Sequence, residues 1–525
     1  MKIIKKIGVL LLACLMLMGV LISCKFNMGG TENNSESVTR GDVQESASST
    51  EKETNKWGDE VVKLEIPDSL DYDGATVNVV VREGEAYGRE WTTEKTDDSV
   101  DMVVFKRNKK VQDALGIKFN FIRVADNVQK AGGTKHMSDA LEKVAQAGGK
   151  EYDIVNQYRN DAGYTSLLPY YKNVRGSEFT YLNLDNPYWS QNFNEVLETN
   201  GKQFFFCGDI NLSLWDRAIV VFFNKSKLEY AEVTEAELYE MVIDKKWTYE
   251  TFYNMIKDIH EEGDTITGTS AGDFVGLASI YESEASDGLL YSWNVALSQT
   301  SIDGYHSIVT DAGYTKYINA GQMIIDLYSA SGAWLNAGSD NNIRHFTQGY
   351  SLFNIDVIYH GATHLSALKD MEGDYGILPT PMYDDTQGTY YTGVQDAHSI
   401  MCVMDGDKDF EMISATLEML AYESYNEVRP YYVKTIIKSQ NFDDATSGEM
   451  FDIIMDGVTL DYVDLWEGSD PKARWQLWRK PFQFTMGQKI GKNYEALSFS
   501  VAYENSVNGL NEKLNDRDLF VDMLE

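Results

Sequence analysis

The alternation of apolar runs between residues 75 and 156 sets the tightest limit on the fold of this chain. Ala75 to Val81 (ATVNVVV) is a β-branched run of strand length. Val100, Val103, Val104, Val111, Ala114 and Leu115 then fall on one helical face. Ile117 to Val124 alternates with the period of a strand, Lys135 to Ala147 reads as a helix, and Tyr152 to Asn156 (YDIVN) as a third short strand. Strand, helix, strand, helix, strand requires right-handed crossovers and a largely parallel sheet, so the class is α/β. Further strands are predicted at Gln203–Phe206, Ala218–Phe223 and Tyr350–Ile358, and helices at Thr234–Asp244, Thr248–His260 and Phe410–Tyr422. Thr234 with Glu237 has the spacing of a capping box. No internal repeat interrupts the pattern.

The chain is 525 residues long and 43% hydrophobic, enough to fill more than one core, and two or three domain-sized units are expected. A formal charge of −35 repels phosphate backbones and excludes nucleic acid as a partner. Cysteine is scarce: beyond Cys24 only Cys207 and Cys402 remain, so two buried free thiols are expected rather than a disulfide scaffold.

At the N-terminus, Lys2, Lys5 and Lys6 precede an apolar run from Ile7 to Ile22 that ends in Leu21-Ile22-Ser23-Cys24. The charged start, short apolar stretch and small residue before the Cys are those of a secretory signal, and the ending resembles the lipobox of bacterial lipoproteins. The resemblance implies a signal peptide over 1–23 and a diacylglycerol on Cys24. Lys25 to Gly58 is rich in Ser, Thr, Asn, Glu and Gly and poor in apolar residues, so 24–60 is read as a lipid-anchored disordered tether. No later segment is long and apolar enough to cross a membrane.

Several segments of the body are jointly informative. The first strand is followed by a helix bearing Arg107, Asn108 and Lys109 and then Leu115-Gly116-Ile117. Gly149 to Asn156 reads GKEYDIVN, and Ala218 to Leu228 reads AIVVFFNKSKL. Trp247-Thr248-Tyr249-Glu250-Thr251-Phe252 opens a helix, Phe346-Thr347-Gln348-Gly349 precedes a strand, and Asp374 to Pro381 reads DYGILPTP. In this order they resemble the extracellular solute-binding proteins of ABC importers, in particular the carbohydrate-binding group related to maltose-binding protein. The resemblance runs from about residue 75 to 435. It implies a two-lobed, periplasmic-binding-protein-like (type II) α/β fold with a hinge and an interlobe ligand cleft. The first lobe would comprise 61–213 and 384–435, the second 214–383 and 436–525. It also implies a non-enzymatic, monomeric receptor without cofactor or metal. Its partners would be a carbohydrate, the membrane subunits of an ABC permease, and the membrane itself through the lipid, on the extracellular face of a Gram-positive-type cell.

Signals for catalysis are weak. Gly268-Thr269-Ser270-Ala271-Gly272 fits G-x-S-x-G, but polar Glu261 to Thr267 stands where a buried strand is needed. Asp405, Asp407 and Asp409 begin like a calcium loop, yet Phe410 replaces the required Gly and Thr416 the closing Glu, so a turn with a helix cap is expected. There is no phosphate loop and no H-E-x-x-H, and Glu282 with Glu284 is one close pair among 81 acids. Sugars present flat apolar faces and rims of hydroxyls, so their sites pair aromatic rings with Asp, Asn, Gln or Arg. Where such pairs fall at predicted strand ends, the candidate ligand-binding residues are Tyr158, Arg159, Trp215, Asp216, Tyr281, Asp356, Gln395 and Asp396. A secreted glycan hydrolase and a surface lipoprotein with a protein partner are the two alternatives.

Overall fold

The computed structural model describes residues 62–83, 89–91, 99–125, 135–163, 168–263, 272–280, 283–336, 341–359, 368, 371, 373–438, 445–466 and 472–524. The expected signal peptide, Cys24 and the tether lie outside these residues, as do 268–271, Tyr281 and Glu282. Among the described residues the strands run β1 (Ala75–Glu83), β2 (Ile117–Ala125), β3 (Ile154–Tyr158), β4 (Ile219–Asn224), β5 (His260–Glu261), β6 (Phe274–Ile280), β7 (Ser298–Thr300), β8 (His306–Ile308), β9 (Ala333–Asn336), β10 (Ser351–Val357), β11 (Tyr375–Leu378) and β12 (Ser399–Val403).

The first sheet has the order β12-β3-β1-β2. β1 is parallel to both neighbours, with Val79 opposite Ile154 and Val77 opposite Phe119. The helices Ser99–Leu115 and Lys135–Gln146 make the two crossovers. The β-branched run buries Val77, Val79, Val80 and Val81 completely or nearly so, as expected of a strand covered on both faces. β12 returns from much later in the chain and adds antiparallel to β3, Ser399 opposite Tyr158. Behind it the helix Phe410–Glu423 buries Ile413, Leu417, Leu420 and Ala421. Its first turn is capped by Asp409, whose carboxylate accepts from the Met412 N–H at 2.9 Å, the role expected for the Asp405–Asp409 stretch.

The second sheet has the order β11-β4-β10-β6, with β5 and β9 sharing the far edge of β6. β4 lies antiparallel to both neighbours, and β10, β6 and β9 run parallel. The Thr234–Glu237 capping box is formed in full at the start of the helix Glu235–Ile243. The late helices Lys480–Lys489 and Phe499–Asp522 pack on the helix Asp311–Ser329, where Tyr317 donates to the Phe499 carbonyl at 3.0 Å.

Two sequence expectations change. Gln203–Phe206 is not a strand: Phe206 makes one bridge to Met401, and the side chains of Asn173 and Asn194 take the N–H groups of Gln203 and Cys207, so the ladder stops. The helix expected over Thr248–His260 ends at Ile256, because β5 must turn back to pair with β6. That turn brings Gly276 against the Ile256 backbone, where a Cβ would lie 2.7 Å from the carbonyl oxygen. Cys207 and Cys402 are free and buried, as expected, and burial pushes both thiols up.

Three stretches of chain pass side by side between the sheets. Ala218, entering β4, bridges Val394, and Thr392 bridges Val458. The carboxyl end of β3 and the amino end of β12 adjoin these crossings, since Arg159 N–H donates to the His398 carbonyl at 3.1 Å. So does the carboxyl end of β10, through Ile358 N–H to the Ala218 carbonyl at 3.0 Å. Among the described residues no helix is long and apolar enough to cross a membrane.

Candidate functional site

Carboxyl ends of strands are where open α/β sheets bind ligands, and here the two sheets present theirs to the same crossing stretches. From β1 comes Arg82, fully buried, its guanidinium donating to the Ala397 carbonyl at 2.7 Å and the Ser399 hydroxyl at 3.2 Å, and lying 5.0 Å over the Tyr158 ring. From β3 come Tyr158, whose hydroxyl accepts from Asn160 at 2.9 Å, and Arg159. Arg159 opens the short helix Arg159–Ala162 and is 1% exposed. Its Nη1 donates to the Asp464 carbonyl, while Nε and Nη2 have no hydrogen-bond partner among the described residues. The close approach is set by Gly163, where a Cβ would fall 2.1 Å from the Leu465 carbonyl oxygen.

The second sheet contributes Arg217, just before β4. It donates to Gln395 Oε1 at 2.9 Å and its guanidinium lies 4.3 Å over the Tyr359 ring that follows β10. Beside these stands a buried lattice of charge. Arg474 is fully buried, 3.2 Å from Asp464, and 3.6 Å from both Asp287 and Asp396. It also donates to the Tyr291 hydroxyl at 2.7 Å, which in turn donates to Asp464. Arg479 reaches Asp287 at 3.0 Å and Asp396 at 3.1 Å. Burial alone would push the Asp396 carboxyl up, but Arg479, Arg474 and Arg159 outweigh it and hold that carboxyl well below the usual range. His398 goes the same way for other reasons: burial first, then the Arg159 charge, push its imidazole down to about 3, so it is neutral.

The residues singled out from the sequence separate into two sets. Tyr158, Arg159, Gln395 and Asp396 come together at the crossings. Trp215 and Asp216, expected at the base of a cleft, lie on the short helix Leu212–Asp216 and are packed into the protein core, each 2% exposed. The Trp215 ring packs on Tyr432 at 5.4 Å, and Asp216 accepts from the Tyr432 hydroxyl. Burial pushes the Asp216 carboxyl up. Asp356 sits inside β10, buried, accepting from Asn342 at 3.0 Å on the helix Asn341–Thr347. Tyr281 lies outside the described residues.

Sequence reasoning passed over Arg82, Arg217, Tyr359, Asp287, Tyr291, Asp464, Arg474 and Arg479. Arg82 and Arg217 were findable as charges at the ends of apolar strands. Arg474 and Arg479 were not, because five residues along an α-helix put them about 140° apart. Trp475–Arg479 is a π-helical turn, whose i→i+5 geometry swings the two guanidiniums to the same aspartates. The same turn leaves Trp475, next in sequence to Arg474, 37% exposed. Among the described residues no group of three or more His, Cys, Asp or Glu is arranged to hold a metal.

No protein-family model matches this sequence, and no curated protein matches it. Solved structures do match over most of the chain. The sugar-binding protein MalE from the phytopathogen Xanthomonas citri is 11% identical, covers 86% of this chain and 100% of its own, and superposes with a TM-score of 0.54. An extracellular solute-binding protein family 1 from Alicyclobacillus acidocaldarius is 10% identical, covers 84% of this chain and 98% of its own, with a TM-score of 0.50. At such identities the likeness is one of fold: this chain has the two-lobed architecture that these proteins share.

Proposed function

We propose that this chain is an extracellular solute-binding receptor that captures a carbohydrate and delivers it to an ABC permease without turning it over. The observation that carries this reading is the position of the site. Polar and aromatic side chains from the strand ends of two separate α/β sheets meet where three crossing stretches join those sheets. Two bodies on such a joint can close on a bound solute. The names of the two structural neighbours, a sugar-binding and a solute-binding protein, support the same reading. The first lobe is 61–213 with 384–435, and the second 214–383 with 436–525.

In this reading Tyr158, Arg159, Gln395, Asp396, Arg217, Tyr359 and Trp475 contact the solute, together with Tyr281. Trp215, Asp216 and Asp356 support the fold. Rings such as Trp475 cover sugar faces, and the polar groups bond the hydroxyl rims. The protein acts as a monomer on the outer face of the membrane, held there by a lipid on Cys24 and its tether. A glycan panel screened by thermal shift, followed by calorimetry on the hits, tests the reading. Binding without product, with a smaller radius of gyration in scattering when saturated, is the expected result. Steady hydrolysis of a bound glycan would favour the hydrolase alternative, and saturation with unchanged scattering would remove the closure.

A further inference from the structure

Arg159 presents an unusual demand. A guanidinium has five N–H donors, and a buried donor left unbonded costs on the order of 1–3 kcal/mol, more when it carries charge. This one is 1% exposed, and the atoms without partners are Nε and Nη2. These two share one edge of the guanidinium and point their hydrogens in parallel, the edge that grips a carboxylate bidentately. Nη1, on the other edge, is committed to the Asp464 carbonyl and fixes the plane.

The surroundings carry a second, independent observation. The chain has 81 acids against 46 bases, so its mean field repels anions. At the crossings the balance changes. Arg82, Arg159, Arg217, Arg474 and Arg479 converge there, and the acids within the lattice are Asp287, Asp396 and Asp464. Two further buried carboxyls are held elsewhere, Glu90 by Asn156, Asn211 and Ser213 and Asp216 by Tyr432, and burial pushes both up. The three aspartates are occupied by Arg474 and Arg479, and His398 is neutral, so no carboxylate bonds to the free edge of Arg159 among the described residues.

We infer that the site takes an acidic saccharide, one whose carboxylate, as on a uronic acid, is bound side-on by Nε–H and Nη2–H of Arg159. This rests on the solute-binding reading above and narrows its ligand class. The neighbouring arginines offset the repulsion that an anion meets on approaching so acidic a protein, and Trp475 supplies a ring for the sugar face. Binding is therefore salt-sensitive and selective for charge.

The test compares three oligosaccharides by calorimetry on the full mature chain: a uronate oligomer, its carboxyl-reduced neutral counterpart of the same linkage, and a sulfated oligomer. The uronate should bind at least tenfold tighter than the neutral form, and the gap should narrow at high salt. Arg159→Met should erase the gap without lowering the ligand-free melting temperature, since it removes an incompletely bonded buried charge. Arg159→Lys keeps the charge but loses the parallel edge and should recover only part of the gap. Neutral oligomers binding as tightly as uronates would overturn the acidic-ligand inference and leave the solute-binding reading intact. Preference for the sulfated oligomer would overturn the carboxylate assignment. Equal loss of neutral and acidic ligands in Arg159→Met, with a lowered ligand-free melting temperature, would make Arg159 a structural residue only. Failure of every saccharide to bind or to close the protein would sink the solute-binding reading itself, and the inference with it.

Discussion

Replacing Trp215 by Ala separates two roles that the sequence leaves open for this residue. The ring is 2% exposed and rests on Tyr432 at 5.4 Å and an interplanar angle of 53°. Tyr432 is itself fully buried, bonds Asp216 through its hydroxyl, and packs on Phe451 at 6.4 Å. The trio thus ties together the helices Leu212–Asp216, Arg429–Lys438 and Ala445–Asp456, which flank the crossings. Removing a fully buried Trp costs about 3–5 kcal/mol, through lost transfer energy and the cavity left behind. Domains of about 150–250 residues lose about 2–4 °C per kcal/mol, and the larger unit here should lose less per kcal/mol, so a fall of roughly 4–8 °C is expected without ligand. Sugar affinity, measured by calorimetry on the protein that remains folded, should change by less than about threefold. A ring in contact with the ligand behaves in the opposite way: about 2 kcal/mol of binding lost, some thirtyfold, with little change in melting temperature. Asp216→Asn is the companion. It keeps an acceptor for the Tyr432 hydroxyl and removes a charge that burial already disfavours, so the melting temperature should hold or rise at pH 7. A Trp215→Ala variant that melts within a degree of wild type yet loses thirtyfold in affinity would refute the packing argument.

Three further outcomes follow from the same geometry. Arg474→Met strands the fully buried Asp464 and leaves Asp287 to Arg479 alone, and should destabilise the protein by about 3–5 kcal/mol, read by denaturant unfolding; a loss under about 1 kcal/mol would mean that the Arg474–Asp464 pair contributes little. Burial pushes the Asp209 carboxyl up to about 7 against the pull of Arg429 at 3.8 Å. A raised folded value gives stability that is full below the unfolded value of about 4 and declines as pH rises through the folded one. Asp209→Asn should therefore melt higher than wild type at pH 8 and equally at pH 4, and an identical pH profile would remove Asp209 from the account. Cys24→Ala should release the protein from the membrane fraction or leave it uncleaved, and mutant protein that still carries lipid would end the anchoring argument.

The parts of the fold that could be read directly are those where one local rule decides. The first sheet follows from period and length: β1, β2 and β3 fall within two residues of the apolar runs that announce them, and the first crossover helix buries Val100, Val104, Val111 and Leu115 of its expected face, with Val103 half-buried and Ala114 exposed. Thr234–Glu237 and Asp409 cap helices because their side chains bond amides three residues on, a distance the sequence itself fixes. Gln203–Phe206 misled for the opposite reason. Its pattern is that of a strand, but its backbone donors are claimed by Asn173 and Asn194, thirty and thirteen residues away from the groups they bind. No window around residue 205 contains that information.

The site divides along the same line. Tyr158 and Arg159 could be placed at the crossings because the end of a buried strand is a local feature, and strand ends are where α/β ligands sit. Trp215 and Asp216 stand just before an equally clear strand, so the same rule selected them, but the helix Leu212–Asp216 rotates both inward and leaves Arg217 to face Tyr359 and Gln395. One residue of phase separated a packed position from one that faces the crossings, and in a five-residue helix the sequence has too few turns to set that phase. For Arg474 and Arg479 even the helix type had to be known. An α-helical reading points them apart, whereas the π turn converges them on Asp287 and Asp396, which come from two other segments of the chain. The consequence reaches back to Arg159. Because those two arginines occupy the aspartates, the guanidinium on the β3 end keeps one edge unbonded, and a net-acidic protein acquires, at the junction of its two sheets, a place suited to an anion.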